Sequence, residues 1–189
     1  MKVMTFNLNE LAKNNFDFSN YILGRSFDLG ENGAEVDPSR ALYYYRVSKD
    51  YPLCKYSLGM SYKYGLGNIL PILEETADKL LREAYPELLE IINNPDSLWQ
   101  EKVYAKFATG AYYYYGLGDI NPDPKKAFEI IKECADNGHI GAIYDLGYKF
   151  YREGVGTEQD LDEANRYLDT AVLVGLQRAI DFKETLMTK

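Results

Sequence analysis

At 189 residues the chain is long enough for one domain with a sizeable core. Its net charge of −8 and pI near 4.8 repel phosphate backbones and anionic lipid heads, which argues against nucleic acid and membrane surfaces and for a protein or peptide partner, a basic one included. No stretch approaches ~18 consecutive apolar residues, the N-terminus MKVMTFNLNELAKNN lacks a secretory pattern, and Cys54 and Cys134 are the only cysteines, so the composition fits a cytoplasmic protein.

Taken in order, NLNELAKNN (7–15) reads as a short capping helix, followed by four related segments: ILGRSFDLGENG (22–33), LGMSYKYGLG (58–67), FATGAYYYYGLG (107–118) and DLGYKFYREGVG (145–156). The early glycine of each, Gly24, Gly59, Gly110 and Gly147, recurs at spacings of 35, 51 and 37. After each closing glycine an alanine opens a second apolar run: Ala41, Ala77, Ala127 and Ala164. In the last two copies the match extends to Gly138 and Ala142, and to Gly175 and Ala179, at identical offsets of 11 and 15. Such self-similarity marks a repeat protein.

Each unit reads as two helices. Cys54, Leu58 and Tyr62, and likewise Ala105, Thr109 and Tyr113, recur at i, i+4 and i+8, the period of one buried helical stripe. The glycine pair stops the first helix. A polar turn follows, and Asp37, Asp123 and Asp160 recur there as structural N-caps, with Pro124 at the first helical position. Glu153-Gly154 carries one residue more than the other copies before its glycine pair.

The wide spacing places an insertion of roughly 15 residues within 81–102, around 82–96. Pro86 is expected to break or kink the second helix. The next helix is expected from Pro95 to Tyr115, with Trp99, Val103 and Phe107 as one stripe. The insertion reads either as packing for a longer helix pair or as a binding element. The boundaries expected are one domain, 1–189, with repeats at 19–51, 52–94, 95–138 and 139–178 and a C-terminal cap at 179–189. Stacked helix pairs bury faces that none buries alone. The fold class is therefore an all-α solenoid of about four helix pairs with terminal caps.

An alanine, leucine-glycine, an aromatic, a GxG pair, an aspartate and a lysine-alanine form the pattern on which the chain resembles the Sel-one-like repeat proteins, relatives of the tetratricopeptide repeats. The matching copies are Cys54–Gly67 for the first helix and Asp160–Ala179 for the second half, and the likeness covers roughly 19–186. Thr109 replaces the leucine, Cys54 and Ser19 the alanine, and the second repeat has Pro71 where the aspartate would fall. The resemblance implies a right-handed superhelix acting as an adaptor or scaffold.

Gly65-Leu66-Gly67 and Gly116-Leu117-Gly118 lack the third glycine and the preceding strand of a phosphate loop, and they end helices rather than open them. His139 is the only histidine, which excludes a multi-histidine metal site. It follows Cys134 by five residues, and a Cys/His hydrolase is the third functional reading. Against it, Cys134 takes the small helix-interior position held by Ala171 in the fourth repeat. No catalytic residue, cofactor or metal ligand is assigned.

Tyr21, Tyr56, Phe107 and Tyr144 share one wheel position and read as a packing column. A second arc holds Ile22, Ser26 and Leu29; Ser57, Ser61 and Tyr64; Ala108, Tyr112 and Tyr115; and Asp145, Lys149 and Arg152, mostly small, polar or Tyr/Arg residues such as a solvent-facing groove needs. The leading expectation is a non-enzymatic protein–protein interaction module binding on that concave face. The alternative is an acidic immunity or inhibitor protein that neutralises a basic partner through its surface charge.

Overall fold

The computed structural model describes residues 3, 4, 6 and 15–187; the capping helix expected over 7–15 lies, apart from Asn15, outside them. The described helices are α1 (Phe16–Leu29), α2 (Pro38–Val47), α3 (Pro52–Tyr64), α4 (Glu74–Asn93), α5 (Trp99–Tyr115), α6 (Pro124–Asp136), α7 (Ile140–Asp145, passing directly into a π-helical stretch, Leu146–Tyr151), α8 (Leu161–Leu173) and α9 (Gln177–Met187). Among the described residues extended pairing is limited to a bridge between Leu66 and Leu70. No described helix is long and apolar enough to cross a membrane. The chain is an all-α solenoid of stacked helix pairs.

The pairs share one plan, except that Leu73 caps α4 without a side-chain hydrogen bond. The carboxylates of Asp37, Asp123 and Asp160 accept the backbone N–H three residues on, at 3.0, 3.0 and 2.9 Å, satisfying a donor that the first helical turn leaves free. A clasp then ties the second helix back to the first: Asp37 N to Phe27 O, Leu73 N to Tyr62 O, Asp123 N to Tyr113 O, and Asp160 N to Tyr151 O, at 2.7, 2.9, 2.8 and 2.8 Å. The glycine that opens each motif lets the two helices touch. A Cβ on Gly59 would come within 2.8 Å of Leu81 Cγ, on Gly110 within 2.7 Å of Ile131 Cδ1, and on Gly147 within 2.9 Å of the Ala164 carbonyl oxygen.

The fourth repeat shows how the solenoid absorbs its extra residue. The clasping carbonyl lies three residues after the early glycine in Phe27, Tyr62 and Tyr113, and four after it in Tyr151. The π-helix at Leu146–Tyr151 takes up that residue, since a wider turn accommodates one insertion without ending the helix. Gly154 can then stop this helix as Gly116, at φ 65°, stops α5.

The insertion lengthens two helices. α4 has 20 residues against 10 in α2 and 13 in both α6 and α8. The break expected at Pro86 does not occur: α4 runs through it. Pro86 is exposed and so is Arg82, whose carbonyl loses its partner, so water can replace the missing hydrogen bond. α5 begins at Trp99 rather than Pro95, because Asn94 closes a turn instead, its side chain accepting from Asp96 N at 3.0 Å and its carbonyl from Ser97 N at 3.2 Å. Of the stripe expected there, Val103 and Phe107 are buried and Trp99 is exposed.

Helix α5 joins two cores. Tyr104, Ala105, Ala108 and Tyr112 face the first, with α1 to α4. Val103 and Phe107 face the second, with α6 to α9. The column Tyr21, Tyr56, Phe107 and Tyr144 is buried throughout. The inner face is closed over its middle. Tyr21 meets Tyr104 edge-on at 5.5 Å, and His139 lies 4.2 Å from Tyr104 and 4.1 Å from Phe107, ring centre to ring centre. On one side of this layer Phe6 packs 5.8 Å from Tyr104, and Met4 N donates to Gly138 O at 2.9 Å. On the other side a cleft remains.

Candidate protein-binding cleft

The cleft has a volume of 240 Å³. Its base is formed by Tyr56, Ser57, Phe107 and Ala111, with Arg25 and Asp28 of α1 beside them. Tyr64 and Tyr115, which end α3 and α5, form the rim at 53% and 38% exposure, their ring centroids 5.7 Å apart. Asp145 and Lys149 enter from the fourth repeat and Arg178 from α9.

Most of the charge in the cleft is internally neutralised. The Arg25 guanidinium grips Glu31 with two bonds, Nε to Oε2 at 3.2 Å and Nη2 to Oε1 at 2.5 Å. Asp28 accepts from Tyr45 Oη at 3.1 Å, and burial raises its pKa against the opposing pull of that hydrogen bond and of Arg25. Lys149 Nζ lies 3.2 Å from Asp145 Oδ1 and donates to Tyr115 Oη at 3.0 Å. Burial alone would lower the Lys149 pKa, but Asp145 and Tyr115 outweigh it and the net direction is upward, so the ammonium stays charged. Arg178 differs. It rests over the Tyr144 ring at 4.4 Å, and its buried Nε and Nη2 make no hydrogen bond.

Of the residues expected to line a groove, Leu29, Ser57, Ser61, Tyr64, Tyr115, Asp145 and Lys149 do line this cleft. Ile22, Ser26, Ala108 and Tyr112 do not; all four are buried. The Tyr112 ring lies 4.8 Å from Tyr85 and its hydroxyl donates to Leu81 O at 2.7 Å, so it fastens α5 to α4. Arg152 is also elsewhere, its guanidinium 5.5 Å from the Phe182 ring. The extra residue in the π-turn shifts the register there by one, so that Glu153, not Arg152, precedes the stop glycine as Tyr64 and Tyr115 do. Arg25, Met60 and Ala111 line the cleft from positions the helical wheel passed over. Each directly follows the early glycine, and in the π-shifted repeat Lys149 takes that place.

Cys134 and His139 lie outside the cleft. The Cys134 thiol is buried and donates to Val103 O at 3.5 Å, and burial pushes its pKa up to about 12. His139 is the N-cap of α7: its Nδ1 accepts from Ala142 N at 3.0 Å. Burial first, then Arg25 and Arg178, hold its pKa well below the usual histidine value. A thiolate nucleophile needs the opposite environment, so the Cys134/His139 hydrolase reading falls away.

The Sel1 repeat family model matches residues 18–48, 52–77, 103–139 and 140–173. The chain belongs to the Sel1 repeat family. Sel1 repeat proteins generally serve as protein-interaction modules. The chain is 32% identical to "Protein sel-1 homolog 2" of Rattus norvegicus over 127 residues, 65% of this chain and 18% of that protein. It is 31% identical to "Activator of C kinase protein 1" of Saccharomyces cerevisiae over 86 residues, 43% of this chain and 14% of that protein. It thus spans under a fifth of these curated relatives. Among solved structures, a Sel1 repeat protein from Oxalobacter formigenes is similar at 21% identity and a TM-score of 0.41, covering 95% of this chain and 47% of that one. A protective antigen of uropathogenic Escherichia coli strains with an SLR fold is similar at 20% identity and a TM-score of 0.39, covering 91% and 41%.

Proposed function

We propose that this Sel1 repeat chain is a non-enzymatic adaptor that captures a protein segment in the cleft between α1, α3, α5 and the fourth repeat, acting in the cytoplasm. The observation that carries this reading is the paired rim, Tyr64 and Tyr115, exposed over a cleft whose largely apolar lining is set with a few charged groups. Tyrosines bring large contact area at low entropic cost and keep a polar handle, the profile of binding hot spots. The rim is preorganised by the Lys149–Asp145–Tyr115 contacts, which reduces the ordering cost of binding. The test is partner capture by the full chain against a Tyr64→Ala/Tyr115→Ala variant of unchanged helicity. Loss of capture supports the reading, and undiminished capture refutes it.

A second reading, neutralisation of a basic protein, draws on a different surface. Glu74, Glu75, Glu83 and Glu90 of α4 are all exposed on a chain of net charge −8. Binding there would weaken steeply with ionic strength, whereas capture by the tyrosine rim would not.

A further inference from the structure

We infer that the cleft is a receptor for a chain end, with the guanidinium of Arg178 receiving the terminal carboxylate of the captured segment. This deepens the adaptor reading and rests on it.

Three cations reach the cleft, and two are accounted for: Arg25 by Glu31 at 2.5 Å and Lys149 by Asp145 at 3.2 Å. Asp28, the remaining carboxylate of the lining, is taken by the Tyr45 hydroxyl at 3.1 Å. Among the described residues no carboxylate lies within ion-pair distance of Arg178, and its Nε and Nη2 are buried without a hydrogen bond. Two of its three nitrogens are thus out of water and unpartnered while the side chain as a whole is half-buried and lines the cleft, so a ligand group that pairs with it relieves the cost of those unmade bonds. The crowding around it sharpens the point. A Cβ at Gly141 would lie 3.0 Å from Arg25 Nη2 and 3.2 Å from Arg178 Nη2, so two guanidinium groups approach one spot, and of the two only Arg25 holds a carboxylate, Glu31. Guanidinium is suited to carboxylate because its fork of N–H donors matches the two oxygens.

The shape selects a chain end over a through-running segment. Beyond Arg25 the inner face is filled by Tyr21, Tyr104, Phe107 and His139, and Phe6 covers the far side of that layer. At 240 Å³ the cleft is below the roughly 300–1,000 Å³ of a drug-sized ligand site, room for a short terminus rather than a long segment. The segment would enter between Tyr64 and Tyr115, and its carboxylate would stop at Arg178.

The test follows the Nε–H resonance of Arg178 in the ¹⁵N-labelled full chain during titration with N-acetyl-Gly-Gly, its C-terminal amide, N-acetyl-Glu-amide and inorganic phosphate. The expected result is a saturable shift with N-acetyl-Gly-Gly, none with its amide, weaker responses from the other two, and at least a tenfold loss of affinity in Arg178→Gln. Because Arg178 is half-buried and rests over the Tyr144 ring, the Tm of that variant should stay close to the parent's, whereas an arginine whose role is to hold the cap in place would lower it markedly. Equal response to the amide, an equal or stronger response to N-acetyl-Glu-amide or phosphate, or unchanged affinity in Arg178→Gln overturns the inference. If a partner is still captured through Tyr64 and Tyr115 after Arg178→Gln while carboxylates elicit nothing, this inference fails and the adaptor reading survives. Failure of capture in the parent chain removes the adaptor reading itself.

Discussion

Tyr64 at the end of α3 and Tyr115 at the end of α5 face each other with ring centroids 5.7 Å apart, and Lys149 of the fourth repeat holds the Tyr115 hydroxyl at 3.0 Å. Three repeats thus meet at one rim, while Tyr112, three residues before Tyr115, is buried against α4, where its hydroxyl donates to Leu81 O. The two tyrosines should separate cleanly in mutagenesis. Tyr112→Ala removes a fully buried ring and should cost about 3–5 kcal/mol of stability. Tyr115→Ala should cost under about 1 kcal/mol. Denaturant unfolding of the two variants checks this; similar losses would mean that Tyr115 is a core residue.

The opening glycines predict a graded response. Alanine is favoured over glycine in a helix by about 1 kcal/mol, but at these sites its methyl has no room. At Gly59 and Gly110 the nearest atoms belong to the side chains of Leu81 and Ile131, which can shift; at Gly147 the Ala164 carbonyl and the Leu168 backbone nitrogen stand at 2.9 and 3.1 Å. Gly147→Ala should therefore destabilise by about 1–3 kcal/mol, and Gly59→Ala and Gly110→Ala by less. Thermal unfolding of the three gives the order.

The extra residue in the fourth repeat should be removable. Deleting Lys149 converts the π-turn to an ordinary α-turn and leaves Gly154 at the distance from Gly147 that Gly65 keeps from Gly59. Helicity by circular dichroism should persist in that variant. Deleting Ser61 from α3, which has no such slack, should move its stop glycine out of place and lower the Tm far more. Equal losses would show that the π-turn is not an absorbed insertion.

His139 gives a pH dependence of known sign. Its folded pKa lies below the unfolded value near 6.5, through burial first and then Arg25 and Arg178. Below that pH the unfolded chain binds a proton that the folded chain refuses, so stability is full above about pH 6.5 and falls as the pH drops, by up to roughly 1.4 kcal/mol per pH unit. Asp28, raised by burial, acts in the opposite sense at more acidic pH. His139→Asn keeps a capping acceptor for Ala142 N and should flatten the stability profile between about pH 5 and 7. A slope unchanged in that variant would place the titrating group elsewhere.

The fold was legible because its signals are local and repeated: stop glycines, aspartate caps and a helical stripe that recurs in each unit. Ser57, Ser61, Tyr64, Tyr115, Asp145 and Lys149 were within reach of a helical wheel. Tyr112 was misplaced because it packs against α4, on the Tyr85 ring and the Leu81 carbonyl, and Ala108 because it lies in the same core; a helical wheel does not show which face a neighbouring helix covers. Arg152 was misplaced because one added residue rotates everything after it. Arg178 carried no repeat signal, since it lies in the terminal cap, and its meaning depends on α1 and α9 meeting across the inner face. Pro86 failed as a helix stop because the exposed side of α4 lets water replace one lost bond.

The most direct test of the adaptor reading places a photo-crosslinking benzoylphenylalanine at position 64 or, as control, at position 43, where Tyr43 is 63% exposed on α2 away from the cleft. Irradiation of the producing cells should give a discrete covalent adduct from position 64 and none from position 43. Adducts from position 43 alone, or equally from both, would contradict the cleft as the binding surface.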